Sequence, residues 1–297
     1  MNTAAITTKR AYLYMHLSIL LWGLTGILGK AITLGFEQIV WYRMLISALG
    51  LFILLRYTQA FKLPPAKEIG KLYIVGCIIM IHWILFYAAI KVSNVSITLS
   101  CFSSITLFTA LLEPVINKQR IQRTEIFFAI IIIAGIYLIF AFQRLYVWGI
   151  VLAVLSALFG SLFTVLNKRL LNNHSAGSIT FYELTAGFLL LSACLPFYFN
   201  YTGQTLVWPD LQNMMLLLVL SLLCTVVAFT ISLLALKKLS AFTLNLAVNL
   251  EPLYSIVLAI LIFEEDKMLN TGFYAGTAII LFAVFLHAWQ QRNYLTK

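Results

Sequence analysis

Long apolar stretches recur along this chain from one end to the other, and they constrain its fold more than any other feature. Each reaches the roughly 20 residues that an α-helix needs to cross ~30 Å of hydrocarbon at about 1.5 Å per residue. The segments between them are short. Of the 297 residues, 62% are hydrophobic and only 10% are charged. A soluble domain carries about 25% charged residues, so there is too little charge here to cover a water-facing surface. Ten spans take up about 200 residues, which leaves no room for a soluble domain.

Spans are expected at 11–31, 38–56, 72–91, 95–116, 125–142, 148–168, 178–199, 212–236, 241–263 and 269–290. The third and fourth are separated only by Lys91, Val92, Ser93 and Asn94, so a merge or split is easiest around 85–120. The first run follows Lys9 and Arg10, as a signal peptide would. It is too long for an h-region and no A-x-A-like site follows it, so it is read as a retained helix.

The placement of basic residues tests this count. With a cytoplasmic N-terminus and alternating sides, fifteen fall inside: Lys9, Arg10, Arg56, Lys62, Lys67, Lys71, Lys118, Arg120, Arg123, Lys168, Arg169, Lys237, Lys238, Arg292 and Lys297. Only Lys30, Lys91, Arg144 and Lys267 fall outside, and Arg43 lies within a span. The bias supports ten transmembrane helices in the cytoplasmic cell membrane, with both termini cytoplasmic. It also accounts for the net charge of +10 as topology, so no nucleic-acid partner is expected. Cys77, Cys101, Cys194 and Cys224 all fall in apolar stretches and show neither metal spacing nor a disulfide framework. No metal or other cofactor is expected.

Internal matches divide the chain in two. Trp41-Tyr42-Arg43 matches Phe181-Tyr182-Glu183, and Leu21-Trp22-Gly23 matches Leu158-Phe159-Gly160. Ala89-Ile90-Lys91 matches Ala235-Leu236-Lys237, and Leu107-Phe108-Thr109-Ala110 matches Leu253-Tyr254-Ser255-Ile256. The order is kept while the offset drifts from 137 to 146. The fold class is therefore an all-α membrane protein of two five-helix repeats, residues 1–146 and 147–297. Because five is odd, the second repeat starts on the opposite side of the membrane and is inverted. Inverted repeats with a midplane site between them are a common secondary-transporter design.

These motifs resemble the EamA-like family of the drug/metabolite transporter superfamily, over nearly the whole chain. The resemblance rests on the aromatic-Gly pair of the first helix, on Trp41-Tyr42-Arg43, and in the second unit on Glu251-Pro252 followed by Phe263-Glu264-Glu265. The first unit departs from the pattern: Thr106 stands where the proline would be, and Lys118-Gln119 replaces the exit glutamate. The resemblance implies a carrier of small organic solutes.

Ionisable groups inside a bilayer cost about 2.5–3.5 kcal/mol at a helix centre on insertion scales, which makes them functional candidates. Glu251 sits near the middle of the ninth span. Pro252 removes a backbone hydrogen bond and frees a carbonyl one turn earlier, in the stretch that carries Asn245 and Asn249. A carboxylate, two amides and a loosened backbone at one depth suit a substrate or proton site. In a regular helix Asn245, Asn249 and Pro252 share a face, with Glu251 about 200° from Asn249. Either the proline turns Glu251 inward, or Glu251 pairs with a neighbouring helix. Arg43 either grips a carboxylate or phosphate or snorkels and pairs within the bundle. His82 is a candidate contact or a satisfied neutral histidine. Trp22, Tyr42, Trp83 and Tyr87 are candidate aromatic walls or plain packing. Glu183, the repeat partner of Arg43, is expected to gate or pair at the cytoplasmic face, so Glu251, Glu183 and Pro252 are the coupling or gating candidates. Glu113 reads as a boundary residue. Ser96, Ser100 and Ser103, with Ser104 and Thr106 nearby, line a path or pack against a helix. The fifth span reads as lipid-facing. Gly23, Gly26 and Gly29 read as sites of close packing or hinge motion.

The expectation is a secondary transporter moving amino acids or other small metabolites outward by alternating access. Its partners are a small-molecule solute and membrane lipid, as a monomer or weak homodimer. The phosphate-binding pattern G-x-x-x-x-G-K-[ST] is absent. So are H-E-x-x-H and G-x-S-x-G, and the two aspartates, Asp210 and Asp266, lie in loops, so no enzyme is expected. The alternative is a lipid flippase or scramblase of the same architecture.

Overall fold

The structure, a computed structural model, describes residues 6–295 apart from 62, 122 and 143. Lys62 and Lys297 lie outside the described residues, as do the side chains of Arg123, Arg144 and Arg292. Every regular element among the described residues is helical.

The first half contains α1 (Thr8–Ala31), α2 (Phe36–Tyr57), α3 (Ala66–Val92), α4 (Val95–Phe102), α5 (Ile105–Asn117) and α6 (Arg123–Phe142). The second contains α7 (Val147–Leu170), α8 (Ala176–Thr202), α9 (Leu211–Leu218), α10 (Ala228–Leu236), α11 (Ala241–Val248), α12 (Glu251–Phe263) and α13 (Thr271–Leu295). A π-helical stretch, Val219–Val227, joins α9 to α10 without a break. Among the described residues, eight segments are long and apolar enough to cross a membrane: α1, α2, α3, α4–α5, α7, α8, α9–α10 and α11–α12. α6 and α13 hold shorter apolar stretches, Ile126–Ile139 and Thr271–Ala283.

Several helices start where short polar side chains hold free N–H groups. Asn94 Oδ1 accepts from Ile97 N at 2.8 Å and separates α3 from α4. Asp210 opens α9 and Ser240 opens α11 in the same way.

The fourth and ninth expected spans, 95–116 and 241–263, are each broken at the centre. α4 ends at Phe102 and α5 begins at Ile105, with three-residue turns such as Ser104 N to Cys101 O carrying the chain between them. α11 ends at Val248 and α12 begins at Glu251, with Leu250 N bonded to Ala247 O. The second break follows from Pro252, which has no N–H to continue the ladder. The first occurs without a proline. There the Ser103 and Ser104 hydroxyls bond back to Leu99 O and Cys101 O and compete with the helix. The first unit's departure at Thr106 therefore does not prevent an equivalent bend. Both segments also end in the left-handed region, Lys118 at φ 56° and Glu264 at φ 53°.

The halves pack reciprocally. α3 lies against α7 and α8, while α9–α10 lies against α1 and α2. α4 and α5 meet α7, while α11 and α12 meet α1. α4 crosses α12, α5 crosses α11, and α6 pairs with α13. Gly135 and Gly276 let α6 and α13 approach backbone to backbone. One face of α6 is therefore buried on α13, and its outer face, including Ile130 and Tyr137, is exposed. Other exposed apolar side chains include Leu17, Leu20, Ile53 and Leu261, as a lipid-facing surface requires.

Candidate functional site

A cavity of about 60 Å³ lies between the halves. At ~15 Å³ of such space per water it holds about four waters, so a solute enters only if the walls move apart. Trp22, Arg43, His82, Trp83, Asn245 and Glu251 all line it. Six of the expected site residues thus meet at one place.

Arg43 reaches the cavity from α2 and is 2% exposed. Its Nε donates to Thr225 Oγ1 at 2.7 Å and an Nη donates to Tyr87 Oη at 2.7 Å. The guanidinium lies 3.8 Å from the Trp83 ring centroid, a cation–π contact. Hydrogen bonds to a charged group contribute about 1.5–3 kcal/mol each, enough with the ring contact to hold this cation inside the bundle. Among the described residues no carboxylate lies within 4 Å of it. Arg43 therefore neither snorkels nor pairs with an acid, and it presents positive charge to the cavity.

Glu251 supplies the acidic group of the same cavity. It opens α12 just past the break, and the break resolves the problem of facing. Because the helix restarts at Glu251, it and Asn245 line the same cavity. Of the two expected alternatives, an inward-turned Glu251 is the observed one. Asn249 is not a wall residue. Its Nδ2 donates to Thr106 Oγ1 and to the carbonyls of Asn245 and Leu246, so it fastens the break to α5. Asn245 Nδ2 donates to Thr109 Oγ1 at 2.8 Å. Pro252 is buried beside the break.

Trp22 and Trp83 form walls, each edge to face with Phe229 at 5.6 Å. Trp22 Nε1 is buried without a hydrogen-bond partner among the described residues. His82 stacks among Phe86, Phe102 and Phe163, and its Nδ1 lies 2.9 Å from Ser156 O. That bond orients the ring. Tyr87 stands one layer back, behind Arg43. Tyr42 is elsewhere: its hydroxyl donates to Val207 O at 2.9 Å, which ties α2 to the segment before α9. Glu183 is also apart from the cavity, bonded to Asn167 of α7. The serine stripe packs: Ser96 binds Glu265, and Ser100 meets Thr277 at 3.0 Å. Gly29 faces the Tyr87 ring and Gly26 faces Val95, so these glycines allow close packing.

The sequence reading missed Phe163 and Phe229, which carry no local signal in a chain with 22 phenylalanines. It also missed two reciprocal caps. Glu113 accepts from the N–H groups of Ala241 and Phe242, the first turn of α11. Glu265, fully buried, accepts from Val95 N, Ser96 N and Ser96 Oγ at the start of α4, and pairs with Lys30 at 2.7 Å. Each half thus supplies a carboxylate to the N-terminus of the other half's broken helix, where negative charge is favoured.

The sequence model of the EamA-like transporter family matches residues 9–141 and again 147–289. The chain belongs to the EamA-like transporter family. Its two broken segments are then the same segment of two repeats, and this EamA-like protein is a small-molecule membrane transporter by family. One crystal structure, of a protein 16% identical, aligns over 96% of this chain and 99% of its own with a TM-score of 0.69, so the two share a fold. No curated protein matches the sequence.

Proposed function

We propose that this protein is a secondary transporter that carries small organic solutes bearing both an amine and an acid, amino acids among them, outward across the cytoplasmic membrane by alternating access. Ten helices span the bilayer as two inverted five-helix units, 1–146 and 147–297, with both termini in the cytoplasm. The observation that carries this reading is that Arg43 and Glu251 line one cavity from opposite halves of the chain, with no ion pair to either among the described residues.

A zwitterion complements such a site. Its carboxylate meets the Arg43 guanidinium and the free Trp22 N–H, and its ammonium meets Glu251 and Asn245. An apolar side chain fills the space among Phe163, Phe229 and Trp83. The small cavity is a closed form. Parting the reciprocal contacts on one face or the other opens it to one side at a time.

Thermal-shift screening of the purified protein against a metabolite library tests this, because a ligand stabilises the folded state by RT ln(1 + [L]/Kd). Amino acids are expected to raise the unfolding temperature, and the corresponding amines and acids alone to raise it less. Stabilisation only by lipids would favour the flippase reading.

A further inference from the structure

Glu183 is removed from the cavity just described, and its surroundings are incomplete in a specific way. It lies in α8 about two turns from the helix start, ~10 Å along the axis at 1.5 Å per residue. It is fully buried, and Asn167 is 1% exposed. One hydrogen bond joins them, Asn167 Nδ2 to Glu183 Oε2 at 3.3 Å. The other oxygen of each group, Glu183 Oε1 and Asn167 Oδ1, is buried with no hydrogen-bond partner among the described residues. Two orphaned acceptors on two groups already joined by one bond lack one hydrogen. An isolated buried carboxylate costs several kcal/mol, and such a group neutralises itself.

No cation supplies that neutralisation among the described residues. α2, α3 and α10 pack against α8. α10 holds no titratable residue. On α2, Arg43 is committed to Thr225 and Tyr87, and Arg56 to the faces of Phe52 and Phe61. α3 presents Gly76 to the Glu183 backbone, with Tyr73 and Cys77 as its nearest titratable residues in sequence. On α7, Lys168 donates to Leu236 O and Leu239 O, and Arg169 is exposed at the rim of a cleft and forms no ion pair with Glu183.

We infer that Glu183 and Asn167 form a proton-binding site, in which a proton on Glu183 Oε1 is donated to Asn167 Oδ1 and closes a cyclic acid–amide pair. Binding takes a proton from hydronium and leaves water, converting the carboxylate to the neutral acid, and release reverses this. A cleft of about 510 Å³ supplies the route. Glu68, Lys71, Val75, Leu166 and Leu170 line it, and the last three are sequence neighbours of Gly76 and Asn167. The link between this proton and solute movement rests on the transporter reading, whereas the proton itself does not.

Infrared spectroscopy of the full-length protein in detergent reads the proton directly, without a solute. Wild type and Glu251→Gln at neutral pH are expected to show the C=O stretch of a neutral, hydrogen-bonded carboxylic acid. The band shifts on transfer to D2O and is lost in Glu183→Gln. Glutamine reproduces both hydrogen bonds of the protonated pair, so that variant is expected to fold. If it does not, Asn167→Leu keeps the acid and removes its partner, and the same band moves to higher frequency. A spectrum unchanged by Glu183→Gln overturns the inference, and so does a band that Asn167→Leu leaves in place.

Discussion

Trp83 and Phe229 stand 146 positions apart and meet edge to face, ring centroids 5.6 Å apart and planes at 82°. The same offset separates Asn94 from Ser240, the caps of the two broken segments, and Lys118 from Glu264, their left-handed ends. The two rings therefore occupy equivalent positions in the two repeats. Residues exchanged by a two-fold axis touch only close to that axis, and both rings line the cavity. In the proposed alternating-access cycle, a solute bound there sits where the repeats are related, and exchanging their conformations changes the side to which it is exposed.

Arg43→Lys is expected to fold and to weaken solute binding about 10- to 100-fold. Lysine keeps the charge but not the planar fork that holds Thr225, Tyr87 and the Trp83 face together. Loss of one charged hydrogen bond, about 1.5–3 kcal/mol, corresponds to that range at 1.4 kcal/mol per tenfold. Titration of the solute-induced thermal shift measures it.

Glu251→Gln removes the acidic group of the cavity while preserving its shape. Amino acids are expected to lose at least about tenfold in affinity, at 1.4 kcal/mol per tenfold, whereas their deaminated acids bind as before or better. Competition between the two classes in the same thermal-shift assay distinguishes them. Equal loss for both would place Glu251 in a structural role.

Gly29→Ala is expected to lower stability by about 1–3 kcal/mol through overpacking, because the added methyl overlaps the Tyr87 ring that holds Arg43. Gly70→Ala is the control: nothing lies within 4 Å of its added methyl, and a helical alanine gains about 0.5–1 kcal/mol over glycine. Unfolding temperatures in detergent are expected to fall for the first and hold or rise for the second.

Most of the fold was legible because each apolar run carries its own length signal, and Asn94 marks the division between the third and fourth spans. The breaks were half legible. Pro252 announces one, while Ser103 and Ser104 produce the other through back-bonding that ordinary buried serines do not reveal. At the site, Arg43, His82 and Glu251 stood out because charge and polarity are rare in a span. Tyr42 was misplaced because an aromatic next to Arg43 on a helix points elsewhere. Glu265 was passed over because a loop glutamate looks solvated until tertiary structure brings α4 and Lys30 to it.

Glu265→Ala is expected to destabilise by about 3 kcal/mol, the scale for breaking a buried ion pair. Glu113→Ala is expected to cost about 1 kcal/mol, the scale of a lost cap. The difference arises because Glu265 holds Lys30 and the Ser96 hydroxyl as well as two backbone N–H groups. Thermal unfolding of both variants beside wild type checks the order.

Reconstitution into liposomes tests the central claim most directly. Wild-type protein is expected to move labelled amino acids across the bilayer without moving fluorescent lipid between leaflets, and Arg43→Lys and Glu251→Gln are expected to lower that flux at least about tenfold at solute concentrations below the wild-type Kd. Lipid movement in the absence of any solute flux would contradict it.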